Sequence, residues 1–303
     1  MHKSVLLEEA IKYLNLKDDS VVVDCTLGYG GHSEYILKKI PNGFLYAFDQ
    51  DKEAIEKASE RLKGAGLNFE IINTNFENIK KELNERNVLA NGILFDLGVS
   101  SPQLDNSERG FSFHKCAPLD MRMNREEGIT AKDVVNTYSL EKLTDIFYKY
   151  GEEKYARSIA GNIVKARDSK EIETTLELAE IIKSSVPEKY RRVSHPARRV
   201  FQAIRIEVNN ELYVFEKALT DSLELLKPGG RICVINFHSL EDKICKKIFN
   251  SVSRVPNELQ KLPVIPDEYK PKFKVIANIT PSKEEIEANR RARSAKLRVI
   301  ERG

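Results

Sequence analysis

The feature that most constrains the fold is a glycine-rich loop between a strand pattern and a helix pattern. The β-branched run at residues 20–25 (SVVVDC) predicts a buried strand, and the loop 27–32 (LGYGGH) follows it directly. A helical stretch comes next and ends before Pro41. Glycines at such a junction allow a tight turn and let backbone N–H groups approach a ligand. The junction therefore predicts a βα unit with a binding loop at the carboxyl end of its strand.

Strand and helix patterns alternate at both ends of the chain. Further strands are predicted at residues 43–48, 69–72, 93–95 and 231–236, with helices at 51–62 and 208–226, and a final strand pair at 273–279 and 295–301. Between them, residues 106–207 carry helical patterns with almost no strand signal. This order predicts an α/β fold with a Rossmann-like parallel core, formed by residues 1–105 and 208–303 and interrupted by a helical insertion.

The glycine loop differs from the common dinucleotide-binding fingerprint. Counting from Gly28, the third glycine position holds Ser33, and the chain has no GxxxxGK[ST] phosphate loop. Asp49 ends the next predicted strand about 20 residues later, where a carboxylate can accept hydrogen bonds from both hydroxyls of a ribose. An adenosyl ligand without phosphates fits these residues. S-adenosylmethionine is the candidate, and a nicotinamide dinucleotide is the alternative.

Composition excludes several classes of protein. The 303 residues include 49 Lys and Arg against 46 Asp and Glu, so the net charge of +3 does not by itself indicate a nucleic-acid binder. No apolar run approaches the ~18 residues of a membrane span, and the N-terminus has no uninterrupted apolar stretch typical of a signal peptide. The four cysteines lack C-x-x-C spacing, and His2, His114 and His195 lack ligand-like spacing. We therefore expect no metal site and no disulfides, and a reducing cytoplasm fits.

The distribution of charge is more informative than its sum. Residues 183–206 hold seven Lys or Arg against one Glu, and residues 270–303 hold ten against four acidic residues. Such runs are either solvated faces or contacts to the phosphates of a nucleic acid. Two of them in a nearly neutral chain favour phosphate contacts.

Several long motifs give the chain a family resemblance. They are residues 24–33 (DCTLGYGGHS), 96–105 (DLGVSSPQLD), 109–113 (RGFSF), 118–123 (PLDMRM), 201–205 (FQAIR) and 237–242 (FHSLED). Through them the chain resembles the RsmH (MraW) family from residue 2 to residue 302. The resemblance implies a class I S-adenosylmethionine-dependent methyltransferase that modifies the exocyclic amino nitrogen of a cytidine in the decoding region of 16S ribosomal RNA. It implies 16S RNA or the small ribosomal subunit as partner. Independently of the resemblance, the basic run at residues 183–206 predicts that the insertion, 106–207, supplies RNA contacts but not cofactor contacts and is the RNA-recognition domain. Monomer and homodimer both stay open.

The resemblance also implies the residues of the site. The cofactor contacts fall on Gly30, Gly31, His32, Asp49, Phe76, Asp96 and Gln103. Asp96 is either a cofactor ligand alone or also the acceptor for the amino proton, because the double-proline motif that usually follows such a residue is absent. From their position after the fifth predicted strand of the core, and not from the resemblance, Asn236 and His238 are secondary candidates to orient the base, or they form only a polar turn that caps the helix from Ser239. Asn236 stands where the family commonly has Ser, and Arg290 where it usually has Pro.

Cysteine chemistry separates two kinds of cytosine methylation. Methylation at ring carbon 5 requires a cysteine nucleophile, typically after a proline. Cys25 and Cys233 fall in predicted strands, Cys245 on a predicted helix, and Cys116 follows a lysine. None has the surroundings of an activated thiol. The exocyclic amine is therefore the predicted acceptor, against two other hypotheses: a nicotinamide-dependent oxidoreductase and a non-catalytic RNA-binding assembly factor.

Overall fold

The computed structural model describes residues 4–192, 195–256, 258–259 and 265–303; it does not describe the side chains of Ser101 and Glu268. The chain forms two compact units, the first comprising Met1–Gly98 and Leu212–Gly303 and the second Val99–Glu211. The predicted insertion, 106–207, lies within the second unit, which extends beyond it at both ends. His2 lies outside the described residues.

A seven-stranded sheet forms the centre of the first unit. Its strands are β1 (Val21–Asp24), β2 (Phe44–Asp49), β3 (Phe69–Asn73), β4 (Ala90–Asp96), β5 (Leu226–Asn236), β6 (Phe273–Ile279) and β7 (Lys296–Arg302). They lie in the order β3-β2-β1-β4-β5-β7-β6. The first five are parallel, and β7 is antiparallel to both β5 and β6. This sheet confirms the predicted α/β fold class.

Helices complete both units. They are α1 (Leu7–Leu14), α2 (Gly31–Lys39), α3 (Lys52–Lys63), α4 (Ile79–Glu85), α5 (Ser101–Asp105), α6 (Ala131–Thr137), α7 (Leu140–Lys149), α8 (Ala156–Ser169), α9 (Thr175–Ser184), α10 (Glu188–Arg191), α11 (Ala197–Asn209), α12 (Glu211–Glu224), α13 (Ser239–Ser253) and α14 (Lys283–Ala288). None of the helices in the described ranges is long and apolar enough to cross a membrane.

The central strands are apolar on both sides because helices cover both faces of the sheet. Val22 packs with α1 and α2 residues in one cluster, and Val23 lies in the opposite cluster with Phe95 and Phe215. All four side chains are almost fully buried. Burial on both faces explains why these strands read as continuous apolar runs in the sequence.

The second unit has its own core and is helical. The buried face of α7 carries Leu143, Ile146 and Phe147, which pack in one cluster with residues of α6, α8, α9 and α11. Among its described residues, β structure is limited to a single bridge between Pro118 and Thr174. This agrees with the near absence of strand signals in that part of the sequence.

Two predicted boundaries differ from the structure. The helix predicted at 208–226 is two elements, because α11 ends at Asn209 and Asn210 takes a left-handed conformation with φ 50° before α12 begins. The strand predicted at 231–236 begins earlier, at Leu226, because the segment 227–230 is a bulge inside β5. Leu226 pairs with Ala90, and Arg231 already pairs with Gly92.

Candidate active site

Three neighbouring parallel strands end in an aspartate. Asp24, Asp49 and Asp96 are the last residues of β1, β2 and β4, so all three lie at the carboxyl edge of the sheet. The chain leaves β1 toward β2 on one side, while β4 lies on the other, which makes the β1–β4 junction the point where the strand order reverses. Ligands of open α/β sheets bind in the crevice at such a point. The site is therefore expected at this edge.

The glycine loop turns tightly between β1 and α2. Gly28 and Gly30 have φ of 50° and 75°, a left-handed conformation that costs a glycine little. A Cβ on Gly30 would lie 3.4 Å from Cβ of Ala58 on α3, and one on Gly31 would lie 2.0 Å from Oγ of Ser4. The backbone conformation thus favours glycine at positions 28 and 30, and the loop lies where its predicted ligand would bind.

Ser33 explains why the third glycine is missing. Its Oγ donates a hydrogen bond of 2.6 Å to Oδ2 of Asp24, and the backbone N–H of Thr26 donates one of 3.0 Å to Oδ1. Burial raises the pKa of Asp24, which these hydrogen bonds partly offset. The buried pair ties α2 to the end of β1. Sequence reasoning did not assign Asp24 a place in the site, although its position at the end of the first strand was a usable signal.

Asp49 holds the loop on the neighbouring strand. Its Oδ2 accepts a hydrogen bond of 2.8 Å from the backbone N–H of Gly28, and its Oδ1 accepts one of 2.9 Å from that of Asp51. Burial raises the pKa of Asp49 to about 6. Each carboxylate oxygen can accept a second hydrogen bond. The geometry is therefore compatible with the predicted ribose contact and adds a structural role that the sequence did not reveal.

His32 and Asp96 face each other at the β1–β4 junction. Nδ1 of His32 lies 3.5 Å from Oδ2 of Asp96, and His32 is 5% exposed. Burial lowers the pKa of His32 to about 4, so its imidazole is neutral at neutral pH. Burial, then the carboxyl groups of Asp24 and Glu241, raise the pKa of Asp96 well above its usual value. The backbone N–H of Asp96 donates to Oγ1 of Thr26 over 2.7 Å, which fixes the end of β4.

Two side-chain atoms of this pair have no hydrogen-bond partner among the described residues. They are Nε2 of His32 and Oδ1 of Asp96, and both are buried. Unsatisfied buried polar atoms are costly, so these two atoms are available to a ligand or to an ordered water at this edge.

Phe76 follows β3 in a short 3₁₀ turn. Its ring packs edge-on against Phe95 with 5.8 Å between ring centres, and it stays partly exposed. An edge-on contact of this kind leaves a ring face for the predicted stacking on adenine.

Asn236 and His238 lie at the end of β5. Asn236 is 1% exposed, and its Nδ2 has no hydrogen-bond partner in the described structure. His238 begins α13, where Oε2 of Glu241 accepts hydrogen bonds from the backbone N–H groups of Phe237 and His238. Nε2 of His238 also lies 3.0 Å from Oε1 of Glu241. His238 thus has the capping position that the sequence left open, and its contact with a base stays a prediction.

The structure does not join these two residues to Asp96 directly. Asp96 pairs in register with Ile235, so Asn236 lies one residue further along β5 and alternates to the other face. Within the described residues, no hydrogen bond or ion pair links Asp96 with Asn236 or His238. Of the three predicted catalytic residues, Asp96 has the clearest place at the switch point.

Gln103 belongs to the second unit. It forms a capping box at the start of α5: Oε1 of Gln103 accepts from the backbone N–H of Ser100 over 3.0 Å, and Oγ of Ser100 accepts from that of Gln103. Its cofactor contact stays a prediction.

Two family motifs support each other inside the second unit. The buried Arg109 donates from Nη2 to the carbonyl oxygens of Arg122 and Met123, at 3.1 and 3.0 Å. Gly110, with φ 73°, lies so close to Pro118 that an added Cβ would be 2.4 Å from its carbonyl oxygen. The motifs at 109–113 and 118–123 therefore have a structural function in this unit.

Most arginines of the segment 183–206 have protein partners. Two of them donate to backbone carbonyls: Arg191 donates twice to that of Val186, and Arg199 donates to that of Glu152. Two others form ion pairs: Arg192 with Glu188, and Arg205 with Glu211 in a bidentate arrangement. Arg198 is exposed and has no such partner in the described part of the chain. The charge count therefore overstated the number of arginines free to contact phosphates.

Comparison with known proteins decides the family. The sequence matches the MraW methylase family over residues 1–303. The chain belongs to the MraW methylase family. A solved rRNA methylase from Streptococcus thermophilus is 14% identical, with a TM-score of 0.45 over 100% of this chain and 98% of that one. A Streptococcus mutans protein described as a candidate methyltransferase, in complex with SAH, is 15% identical with a TM-score of 0.47 over 100% of both chains.

Family membership confirms S-adenosylmethionine as the cofactor and makes the protein a methyltransferase. The nicotinamide alternative therefore does not apply. The residues at the carboxyl edge of this methylase fit that cofactor, which carries a positive charge and two ribose hydroxyl donors. Asp49 and Asp96 present carboxylate oxygens, and Oδ1 of Asp96 has no partner among the described residues. His32, Gly30 and the other predicted contacts stay predictions.

The titration of Asp49 predicts a pH dependence for cofactor binding by the methylase. Its pKa is about 6, so the carboxyl takes up a proton as the pH falls through that value. A protonated carboxyl is a poorer acceptor for ribose hydroxyls, so binding favours the ionised form. We expect the affinity for S-adenosylmethionine to fall below about pH 6, by at most about tenfold per pH unit. Calorimetry at several pH values measures this, with Asp49→Asn as the control in which the loss of affinity near pH 6 should be absent. An affinity that rises on acidification would contradict it.

Proposed function

We propose that this methylase transfers a methyl group from S-adenosylmethionine to the exocyclic amino nitrogen of a cytidine in the decoding region of 16S ribosomal RNA. Family membership supports the reaction class. The observation that carries the choice of acceptor is Oδ1 of Asp96, a buried carboxylate oxygen without a hydrogen-bond partner in the described chain. A cytosine amino group needs such an acceptor, because its lone pair is delocalised into the ring and an N–H proton must leave.

Asp96 has the properties of that acceptor. When bound, the cofactor supplies a methyl group on a positively charged sulfur. The amino nitrogen forms the new N–CH₃ bond while the S–CH₃ bond breaks, and Oδ1 of Asp96 takes up the departing proton. Burial and nearby carboxyl groups raise the pKa of Asp96, and a stronger base assists proton transfer better.

The surrounding carboxyl groups support a cationic cofactor. Asp24 and Glu241 lie close enough to raise the pKa of Asp96 by their charge. Such a cluster is unfavourable alone and favourable beside a positive charge, which also returns Asp96 to its ionised form. The same group that attracts the cofactor is therefore ready to accept a proton.

The thiols support methylation at nitrogen rather than at ring carbon 5. Burial raises the pKa of Cys25, Cys233 and Cys245, which keeps these thiols protonated and poorly nucleophilic. Cys116 is exposed and belongs to the second unit. The proposal therefore needs no cysteine nucleophile.

The second unit is the proposed RNA-recognition domain. Lys115, Lys189 and Arg198 are exposed, and their side chains have no hydrogen bond or ion pair in the described parts of the unit. Cations of this kind are available for phosphates, and each one that neutralises a phosphate makes binding depend more steeply on salt.

Mapping the transferred methyl group tests the proposed function. The methylase is incubated with labelled S-adenosylmethionine and unmethylated 16S RNA, either free or in small ribosomal subunits. Nuclease digestion and mass spectrometry then locate the label. We expect it on the amino nitrogen of one decoding-region cytidine, and equally with Cys116→Ser. Label on ring carbon 5, on another base or on no RNA would overturn the proposal.

A further inference from the structure

Three rings form an exposed cluster on the second unit. Phe113 and His195 are stacked, with 4.6 Å between ring centres and 21° between planes, and His114 lies 4.3 Å from Phe113 on a tilt of 45°. The two imidazoles are 6.2 Å apart. Both histidines are exposed and Phe113 is partly buried, so the cluster presents ring surface to solvent.

Contacts with the core and the backbone hold Phe113 and His195 in place. Phe113 packs edge-on against Phe201, which is 4% exposed and belongs to the core of the unit. Nδ1 of His195 accepts a hydrogen bond of 3.3 Å from the backbone N–H of Ala197 at the start of α11. These contacts hold the rings in place before any partner binds, which lowers the entropy that binding would cost.

The rings are suited to stacking at neutral pH. Desolvation lowers the pKa of His195, and the nearby His114 and Lys183 lower it further, while Glu180 acts in the opposite direction. His195 is therefore uncharged near neutral pH and can lie face to face with Phe113. Neutral aromatic faces of this kind stack on nucleobases of any sequence.

Two exposed cations lie close to the rings along the chain. Lys115 directly follows His114 in the chain, and Arg198 follows His195 by three residues. Both are exposed and have no carboxylate partner among the described residues, whereas Lys183 pairs with Glu180 over 3.2 Å. An aromatic surface with unpaired cations at its side matches the chemistry of single-stranded nucleic acid, whose bases stack and whose phosphates need cations. A purely apolar partner would leave these charges unpaired.

We propose that Phe113, His114 and His195 form a platform on which an unpaired base of the RNA substrate stacks, with Lys115 and Arg198 contacting adjacent phosphates. This proposal rests on the proposed function, since it names how the second unit holds the RNA. It predicts two separable contributions to affinity. The rings contribute a term independent of salt, and the cations contribute a term that salt weakens.

The platform is tested by measuring the binding of a single-stranded decoding-region RNA. Fluorescence anisotropy gives the affinity at several salt concentrations. The double variant His114→Ala with His195→Ala should bind about 5- to 150-fold more weakly with an unchanged salt slope. Lys115→Ala with Arg198→Ala should lower the slope by about 0.7 for each lost phosphate contact. Tyr148→Ala is the matched control, because this ring on α7 of the same unit is 68% exposed, and the variant should bind like the wild type.

Ring-preserving variants separate stacking from stability. His114→Phe with His195→Phe should retain most of the affinity, because any aromatic face can stack. The affinity for a fully base-paired RNA should change little in either the double-alanine or the double-phenylalanine variant of His114 and His195. Wild-type affinity in the alanine variant, or equal losses in the alanine and phenylalanine variants, would refute the platform. The proposed function fails in a different experiment: there, the wild-type methylase would place no label on the amino nitrogen of a cytidine.

Discussion

Replacing Asp49 with Ala is expected to weaken S-adenosylmethionine binding by about 1.5–3 kcal/mol, the scale of hydrogen bonds to a charged group. This corresponds to roughly a 10- to 150-fold higher dissociation constant. The physical reason is that both carboxylate oxygens, already held by Gly28 and Asp51, lie at the carboxyl edge with acceptor capacity left for two ribose hydroxyls. Calorimetric titration of the methylase with the cofactor measures the effect directly.

Asp49 also anchors the glycine loop, so a control must separate loop damage from lost ribose contacts. Ser33→Ala removes the hydrogen bond from Ser33 to Asp24 and loosens the same loop without changing Asp49. We expect Ser33→Ala to lower thermal stability while changing cofactor affinity little. Asp49→Ala should lower cofactor affinity strongly while changing thermal stability less. Equal affinity in wild type and Asp49→Ala would remove Asp49 from the list of cofactor contacts.

The fold could be predicted largely because its central strands are buried on both faces. Runs such as 232–235 (ICVI) are apolar at every position, and a strand of that kind requires helices on both sides of a sheet. Local signals could not predict the break at Asn210, because a left-handed asparagine looks like any polar residue within a helical pattern. The bulge at 227–230 escaped prediction for a similar reason. A Pro-Gly-Gly sequence indicates a turn but not whether pairing resumes after it.

The site was predictable where it depends on position at the end of a strand and not where it depends on partners. Asp49 and Asp96 end strands with clear sequence patterns, so their position at the carboxyl edge of the sheet could be predicted. The hydrogen bond between Ser33 and Asp24 depends on how α2 folds back over β1, which spacing alone does not give. Likewise, the partner of Arg191 is a backbone carbonyl, which no count of charges reveals.

Asp96→Ala is expected to reduce the methyl-transfer rate by at least about 10²-fold in single turnover at saturating cofactor and RNA. Loss of general-base assistance typically costs about 10²–10⁴-fold. Saturation matters because it removes any effect on cofactor affinity. What is left is the role of Oδ1, the buried oxygen without a partner in the described structure, in holding and accepting the amino proton.

Asp96→Asn distinguishes the two roles of this carboxyl group. Asparagine keeps a carbonyl oxygen that can align the amino group but cannot take up its proton, so its rate should lie between those of wild type and Asp96→Ala. Thr26→Val is the matched control, because it removes the hydroxyl that accepts from the backbone of Asp96 and leaves the carboxyl in place. If saturating cofactor restores the rate of Asp96→Ala to that of wild type, Asp96 only binds the cofactor. The proton acceptor would then have to be sought at the end of β5, where Nδ2 of the buried Asn236 has no hydrogen-bond partner among the described residues and His238 begins α13.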